Sequence, residues 1–394
     1  MARIIVYTGK GGVGKTSVAA ATGLLAADRG YRTLVLSTDA AHSLGDSFDR
    51  PLGPEPTQLG PNLWGQESDV YHNIDKYWGT IQSYMSSVLQ WRGLDAVMAE
   101  EMSVLPGMDE LASLLWIAEH HDRGQFDVII VDAAPTGETL RLLSLPEAGK
   151  WWLEKIYPIQ RRIAKLASPL VGRLTGMPMP GDALFTAGEQ LFHRLEHMHD
   201  LLIDPELTSI RVVLNLEKMV IKEAQRTFTY LNLYGYPSDL VVCNRLIPGN
   251  VTDAYFSTWK ESQERYFSLV EEGFSPLPIL TAPLMDQEVV GLKMLERFGE
   301  AIYGDSDPTV IRFRGQTQDI QQLDGDYLLT LLLPFTSKED ITLSQVGDEL
   351  IVKVGAHRRN VILPRALVGM QTQSAKLEGD RLTIRFSRAE GGNA

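Results

Sequence analysis

The chain's 394 residues suit two or three domains, and its 44% hydrophobic content is enough for a full core. A formal net charge of −13 argues against a nucleic-acid partner, because such affinity is built largely from Lys and Arg set against phosphates. The single cysteine, Cys243, excludes an intramolecular disulfide, a CxxC zinc clip and a multi-thiol metalloid site within one chain.

The first predicted strand, residues 3–8, carries Ile4-Ile5-Val6-Tyr7 and leads into Gly9-Lys10-Gly11-Gly12-Val13-Gly14-Lys15-Thr16-Ser17. Because strand begins by residue 3, no signal or transit peptide is expected, and no uncharged run approaches the ~20 residues of a membrane span, so a cytoplasmic location is expected. Helix-compatible residues follow to Ala26, which places GxxxxGK[ST] between a strand and a helix, the setting that a phosphate-binding loop requires. The glycines let backbone N–H groups point at phosphate oxygens, and the helix N-terminus adds partial positive charge. Lys15 is expected to reach the outer phosphates and Thr16 to ligate Mg²⁺ of bound ATP. The loop needs only one lysine for this, so Lys10 stands as an unexplained second one.

Further strands are predicted over 33–38, 127–132, 210–215, 239–244 and 278–282, alternating with helical stretches, a pattern that implies an α/β doubly wound parallel sheet. Two long helical insertions interrupt it, at about 71–123 and 147–205. The segment 37–48 after the second strand contains Asp39, placed to orient an attacking water, and Asp46, which competes for that role. The third strand closes on Asp132, as a Walker B element does, and is expected to hold Mg²⁺ through water. Directly after it, Ala133-Ala134-Pro135-Thr136-Gly137-Glu138 forms a second candidate switch. The strand Val241-Val242-Cys243-Asn244 ends on an amide that can pair with both the amino group and a ring nitrogen of adenine, and is equally at home as a turn former.

Beyond Gly304-Asp305-Ser306-Asp307-Pro308 the helical periods give way to period-two strands fed by Gly-Asp turns at 325–326, 347–348 and 379–380, which read as a small antiparallel sandwich. The expected organisation is an ATPase domain over 1–304, a linker over 305–316 and a sandwich domain over 317–394.

The stretches GKGGVGKTS, STDAAHSLGDSF and DAAPTGETLRLL together resemble the deviant Walker A ATPases of the arsenical-pump (ArsA) and tail-anchored-protein-targeting (GET pathway) family, over roughly residues 1–303. The resemblance implies a P-loop NTPase fold and a homodimer closed across ATP, in which Lys10 reaches the partner's nucleotide as a catalytic cation beside Asp39. It also implies that Asn244 and Arg245 serve the adenine end, with Pro283, Leu284 and the residues to Gly291 forming a loop over the base. In that family a helical subdomain shelters a client's transmembrane helix, and carried onto this chain such a groove would be lined by Met98, Met102, Leu105, Met108, Leu191, Leu195 and Met198. Helical spacing alone fits core faces equally well. Hydrophobic client helices and, at delivery, a membrane receptor are then the expected partners, besides a second copy of the chain.

Departures from that family's pattern are Ala133 and Glu138 where Thr and His are common, Ala40 for a frequent proline, and Tyr255-Phe256-Ser257-Thr258-Trp259-Lys260 where eukaryotic members carry the zinc-binding CxxC. Any dimer is therefore expected to close without zinc. The run from Tyr327 to Pro334, with Lys338-Glu339-Asp340-Ile341 and the stretch Gly379–Phe386, resembles an α-crystallin, small-heat-shock-type domain over about 317–388. The I-x-I assembly tail of such proteins is missing after Phe386, and a sandwich of this size also suits a docking module.

Overall fold

The structure, a computed structural model, describes residues 1–38, 43–67, 70–103, 108–133, 178, 180–315, 318–323, 325–333, 336–347, 349–355, 357–362, 367 and 370–388. Its main element is an eight-stranded sheet in the order β3-β4-β2-β5-β1-β6-β7-β8. The strands are β1 (Arg3–Thr8), β2 (Thr33–Ser37), β3 (Thr57–Gly60), β4 (Leu63–Glu67), β5 (Val128–Asp132), β6 (Thr208–Asn215), β7 (Ser238–Leu246) and β8 (Ile279–Pro283). All neighbours pair in parallel except β3, which runs antiparallel to β4. The central strands β2, β5 and β6 are buried at every position, which is why β2 and β5 read as short apolar runs rather than alternating ones.

The edge pair β3 and β4 is absent from the sequence expectation. Thr57-Gln58-Leu59-Gly60 and Leu63-Trp64-Gly65-Gln66-Glu67 carry few β-branched residues, and they become strands because β4 takes up pairing with β2, Thr33 opposite Leu63 through Ser37 opposite Glu67.

The helices are α1 (Lys15–Asp28), α2 (Ser43–Phe48), α3 (Val70–Trp91), α4 (Ala96–Met102), α5 (Met108–Arg123), α6 (Asp182–Ile203), α7 (Lys218–Leu233), α8 (Ser257–Phe274) and α9 (Leu292–Tyr303). Helix α1 is buried almost all round, its alanines allowing close approach on both sides. A Cβ on Gly23 would stand 2.2 Å from Val35 Cγ2 of β2, and one on Gly299 of α9 would stand 2.8 Å from Leu25 of α1. Such close approaches clamp the helix that begins at the phosphate loop between the sheet and α9.

The segment expected as a linker is fastened to the ATPase core. Arg211 of β6, fully buried, pairs with Asp239 of β7 at 3.1 Å and donates to the carbonyls of Pro308 at 2.7 Å and Val310 at 3.0 Å. Arg3 of β1 donates to the Thr309 carbonyl at 3.1 Å, and the Arg312 backbone N–H donates to Asp239 Oδ2 at 3.1 Å. Residues 308–312 therefore form a strap across β1, β6 and β7, because buried arginine and aspartate must find partners and the strap's carbonyls and amides supply them.

The C-terminal strands are β9 (Gln318–Leu323), β10 (Asp326–Leu332), β11 (Ile341–Val346), β12 (Glu349–Val354), β13 (His357–Ile362), β14 (Met370–Glu378) and β15 (Arg381–Arg388). They form two antiparallel sheets, β14-β15-β10-β9 and β11-β12-β13, over a core that includes Leu329, Leu331, Val352, Ile384 and Phe386. The turn glycines Gly325, Gly347 and Gly379 all adopt positive φ, as the Gly-Asp pattern implies. Tyr230 of α7 packs against this core and against the ATPase core.

Candidate functional site: a phosphate loop with a nucleoside cavity

Between β1 and α1 the loop is shaped by two steric facts. A Cβ on Gly9 would lie 2.2 Å from the Val213 carbonyl oxygen of the neighbouring strand, and one on Gly14 would lie 2.3 Å from Asn244 Nδ2. Gly14, at φ 91°, caps α1 without any side-chain hydrogen bond, so the first amides of the helix stay open to an anion. Gly11 and Gly12 are exposed. Lys15 is 6% exposed and donates from Nζ to the Lys10 carbonyl at 3.4 Å, which folds its ammonium over the loop.

At the far side of the loop the Thr16 hydroxyl donates to Asp132 Oδ2 at 2.7 Å and lies 3.2 Å from Ser43 Oγ of α2. Asp132, 1% exposed at the end of β5, is held there by parallel pairing with both β1 and β2. A hydroxyl and a carboxylate meeting at this spacing are hard oxygen donors, the set that suits Mg²⁺ rather than a softer ion. The expected metal pair, Thr16 and Asp132, is thus brought together across more than a hundred residues of sequence.

Lys10 behaves differently from Lys15. Its side chain leaves the loop and places Nζ 3.6 Å from Glu223 Oε2 on α7, both groups more than a third exposed. Asp39, the expected water-orienting carboxylate, lies outside the described residues, as do 134–140 of the second switch. Asp46 lines a cavity of about 330 Å³ together with Gly14, Ser17, Asn244, Arg245, Pro283 and Leu284.

This cavity joins the first turn of α1 to the end of β7 and the loop after β8. Asn244, 4% exposed, donates from Nδ2 to the Val13 carbonyl at 2.7 Å and accepts the Arg245 N–H on Oδ1 at 2.8 Å. A primary amide offers two hydrogens and two lone pairs, so one of each remains. That remaining donor–acceptor pair matches the adenine edge. Asn244 also braces the loop through Val13, a contact that its strand-end position does not announce. Arg245 has φ 59°, a conformation a non-glycine residue seldom takes, and β7 breaks register with β8 between Cys243 and Leu246. The loop over the cavity is tied down by Leu284 N–H to the Leu246 carbonyl at 2.7 Å and by Gly291 N–H to the Ser47 carbonyl at 2.9 Å.

The expected client-binding residues divide. Met98 and Met102 on α4 are 55% and 56% exposed, next to Val97 at 71%. Leu191, Leu195 and Met198 of α6 are instead buried in the main core, and for them the groove expectation is corrected: α6 turns its apolar stripe onto α3 and α5 of its own chain. Leu105 and the side chain of Met108 lie outside the described residues. Cys243 is fully buried in β7, where burial pushes its thiol up to about 12.

Residues 2–304 match the anion-transporting ATPase family, and 324–386 match the HSP20-like domain found in ArsA. The chain is 40% identical to a putative arsenical pump-driving ATPase 1 of Aquifex aeolicus, covering 98% of this chain and 100% of that one. It is 41% identical to a putative arsenical pump-driving ATPase of Chlorobaculum tepidum, covering 99% and 97%. With the ATPase ASNA1 homolog 1 of Paramecium tetraurelia it shares 30% identity over 76% of this chain and 91% of that one. The chain therefore belongs to the anion-transporting ATPase family, hydrolyses ATP, and carries that family's HSP20-like domain at its C-terminal end.

Proposed function

We propose that this ATPase is a homodimeric targeting factor whose nucleotide-controlled opening and closing governs the binding of exposed, transmembrane-type helices of client proteins. The observation that carries the reading is α4, where Val97, Met98 and Met102 stand more than half exposed on a short helix at the edge of the helical region. Val97 and Met98 adjoin, and Met98 and Met102 are spaced to share one helix face, which suits an adaptable apolar surface because an unbranched thioether repacks around varied side chains.

In the catalytic cycle the loop amides and Lys15 hold the phosphates, while Asn244 and the loop after β8 hold the base. Thr16, and Asp132 through water, would hold Mg²⁺, which would supply positive charge against the phosphates. Asp39 accepts a proton from the attacking water as it adds in line to the γ-phosphorus, and the bond to the β-γ bridging oxygen breaks, yielding ADP and phosphate. Lys10, already turned out of its own loop toward α7, supplies a cation to the partner's phosphates when two chains close.

A second reading, a nucleotide-switched chaperone or scaffold that delivers nothing to membranes, is favoured by the HSP20-like domain. The names of several relatives speak of arsenical pumps, and a motor of that kind is a third reading. A lone, fully buried and protonated cysteine gives it no thiolate set. Crosslinking in the presence of ATP, followed by identification of the captured segments, separates these. Hydrophobic C-terminal tails support targeting, and captured segments of unrelated, partly unfolded proteins without such tails would move the reading to the chaperone.

A further inference from the structure

We infer that Ser43 is a third protein oxygen of the magnesium site, a positioning residue set beside Thr16. The inference rests on the reading that Thr16 and Asp132 hold Mg²⁺.

Three oxygens meet at this point. Thr16 has a single hydroxyl hydrogen, and it goes to Asp132 Oδ2 at 2.7 Å. The 3.2 Å hydrogen bond between Thr16 Oγ1 and Ser43 Oγ therefore has Ser43 as donor. Neighbouring ligands of an octahedral Mg²⁺, each 2.0–2.1 Å from the ion, lie about 3 Å apart, and the two hydrogen bonds of Thr16, at 2.7 and 3.2 Å, bracket that separation. A cation seated on the Thr16 oxygen would disfavour the Ser43 proton that points there and favour the rotamer in which the Ser43 hydroxyl offers its oxygen instead.

Ser43 is held for this task by packing rather than by the ion. The Gly45 N–H donates to Glu67 Oε1 at 2.8 Å, and Glu67 is 3% exposed at the end of β4. Ser47 Oγ donates back to the Ser43 carbonyl at 3.0 Å. Gly45 leaves no slack, since a Cβ there would meet the Arg50 carbonyl at 2.9 Å. Helix α2 is thus pinned to β4, and its first residue is presented to Thr16 before any metal arrives.

The test measures metal affinity rather than turnover. Mn²⁺ is titrated into the full chain saturated with a non-hydrolysable ATP analogue, and free Mn²⁺ is followed by electron paramagnetic resonance. Ser43→Ala is expected to weaken Mn²⁺ binding about threefold to tenfold, the worth of a single hydrogen-bonding group, while affinity for the analogue in EDTA stays at the wild-type value. Ser43→Thr, which keeps the hydroxyl, is expected to stay within about twofold of wild type. Thr16→Ala serves as the control: if it leaves Mn²⁺ affinity intact, the magnesium reading itself fails. If Thr16→Ala weakens the metal and Ser43→Ala does not, the role assigned to Ser43 is overturned and the reading beneath it stands. Equal loss of metal-free analogue binding in Ser43→Ala would likewise overturn it, by showing that the hydroxyl only supports the packing of α2.

Discussion

Replacing Asn244 by Asp tests the nucleoside end of the site with almost no change in shape. One carboxylate oxygen can still accept the Arg245 N–H, but the other replaces Nδ2 and faces the Val13 carbonyl at 2.7 Å, acceptor against acceptor. Losing that buried bond and leaving the carbonyl unmatched costs about 1–3 kcal/mol. This part falls on the free protein and lowers its melting temperature by a few degrees, at about 2–4 °C per kcal/mol for a domain of this size class. The second part falls on the ligand. Adenine presents a donor and an acceptor, which the remaining hydrogen and lone pair of Asn244 match, whereas a carboxylate only accepts. The carboxylate keeps the hydrogen bond from the adenine amino group and sets a lone pair against the ring nitrogen, so ATP affinity should drop about ten- to a hundredfold. Guanine presents two neighbouring donors, so the ATP-over-GTP preference should narrow at the same time. Competition of each nucleotide against a fluorescent ADP gives both constants. Retention of ATP affinity within about threefold, with the preference unchanged, would refute the assignment of Asn244 to the base.

Replacing Met98 and Met102 together with Asp should abolish capture of a hydrophobic helix while leaving ATP hydrolysis and melting temperature near wild type, because both side chains are more than half exposed. The same change at Met198, fully buried, should instead unfold the helical region, and equal melting curves for the two variants would contradict the division of the groove residues. Cys243 should resist a thiol-specific disulfide reagent in native protein at pH 7 to 9. Its thiol is pushed up to about 12, so the reactive thiolate is scarce throughout that range, and labelling should appear only on denaturation.

The sheet is legible in the sequence because its strands are parallel and buried on both faces, so each appears as a short apolar run with a helix behind it. The edge pair β3 and β4 is not, since Gly60, Pro61 and Gly65 give it the look of a loop and only pairing with β2 makes it a strand. In the site, the phosphate loop is a local pattern and can be read whole. Asp132 stands out because it ends an apolar strand. Asp46 rivals Asp39 on sequence grounds, and the structure sets it on the wall of the cavity that Gly14, Ser17 and Asn244 also line. Glu67 carries no sequence signal, and Ser43 lies in the 37–48 stretch without standing out there: the meaning of each comes from α2 being held against β4. The buried face of α6 illustrates the limit of periodicity, which marks an apolar stripe and leaves open whether a partner or the chain's own helices cover it.

Lys10 is the residue on which the dimeric account depends. In the single chain it reaches Glu223 of α7, at 3.6 Å, while Lys15 stays folded over the loop. If Lys10 acts across an interface, a Lys10→Ala chain lacks only what it gives its partner, and an Asp39→Asn chain lacks only what it does to its own ATP. Mixing the two variants and measuring ATP hydrolysis is the most direct test. A heterodimer then holds one complete site, with Asp39 from the Lys10→Ala chain and Lys10 from the Asp39→Asn chain. With random exchange and independent sites, the rate should rise above the mean of the separate variants toward about a quarter of wild type, by counting sites. No rise at all, with exchange of subunits verified, would contradict action across the interface and return Lys10 to its own protomer.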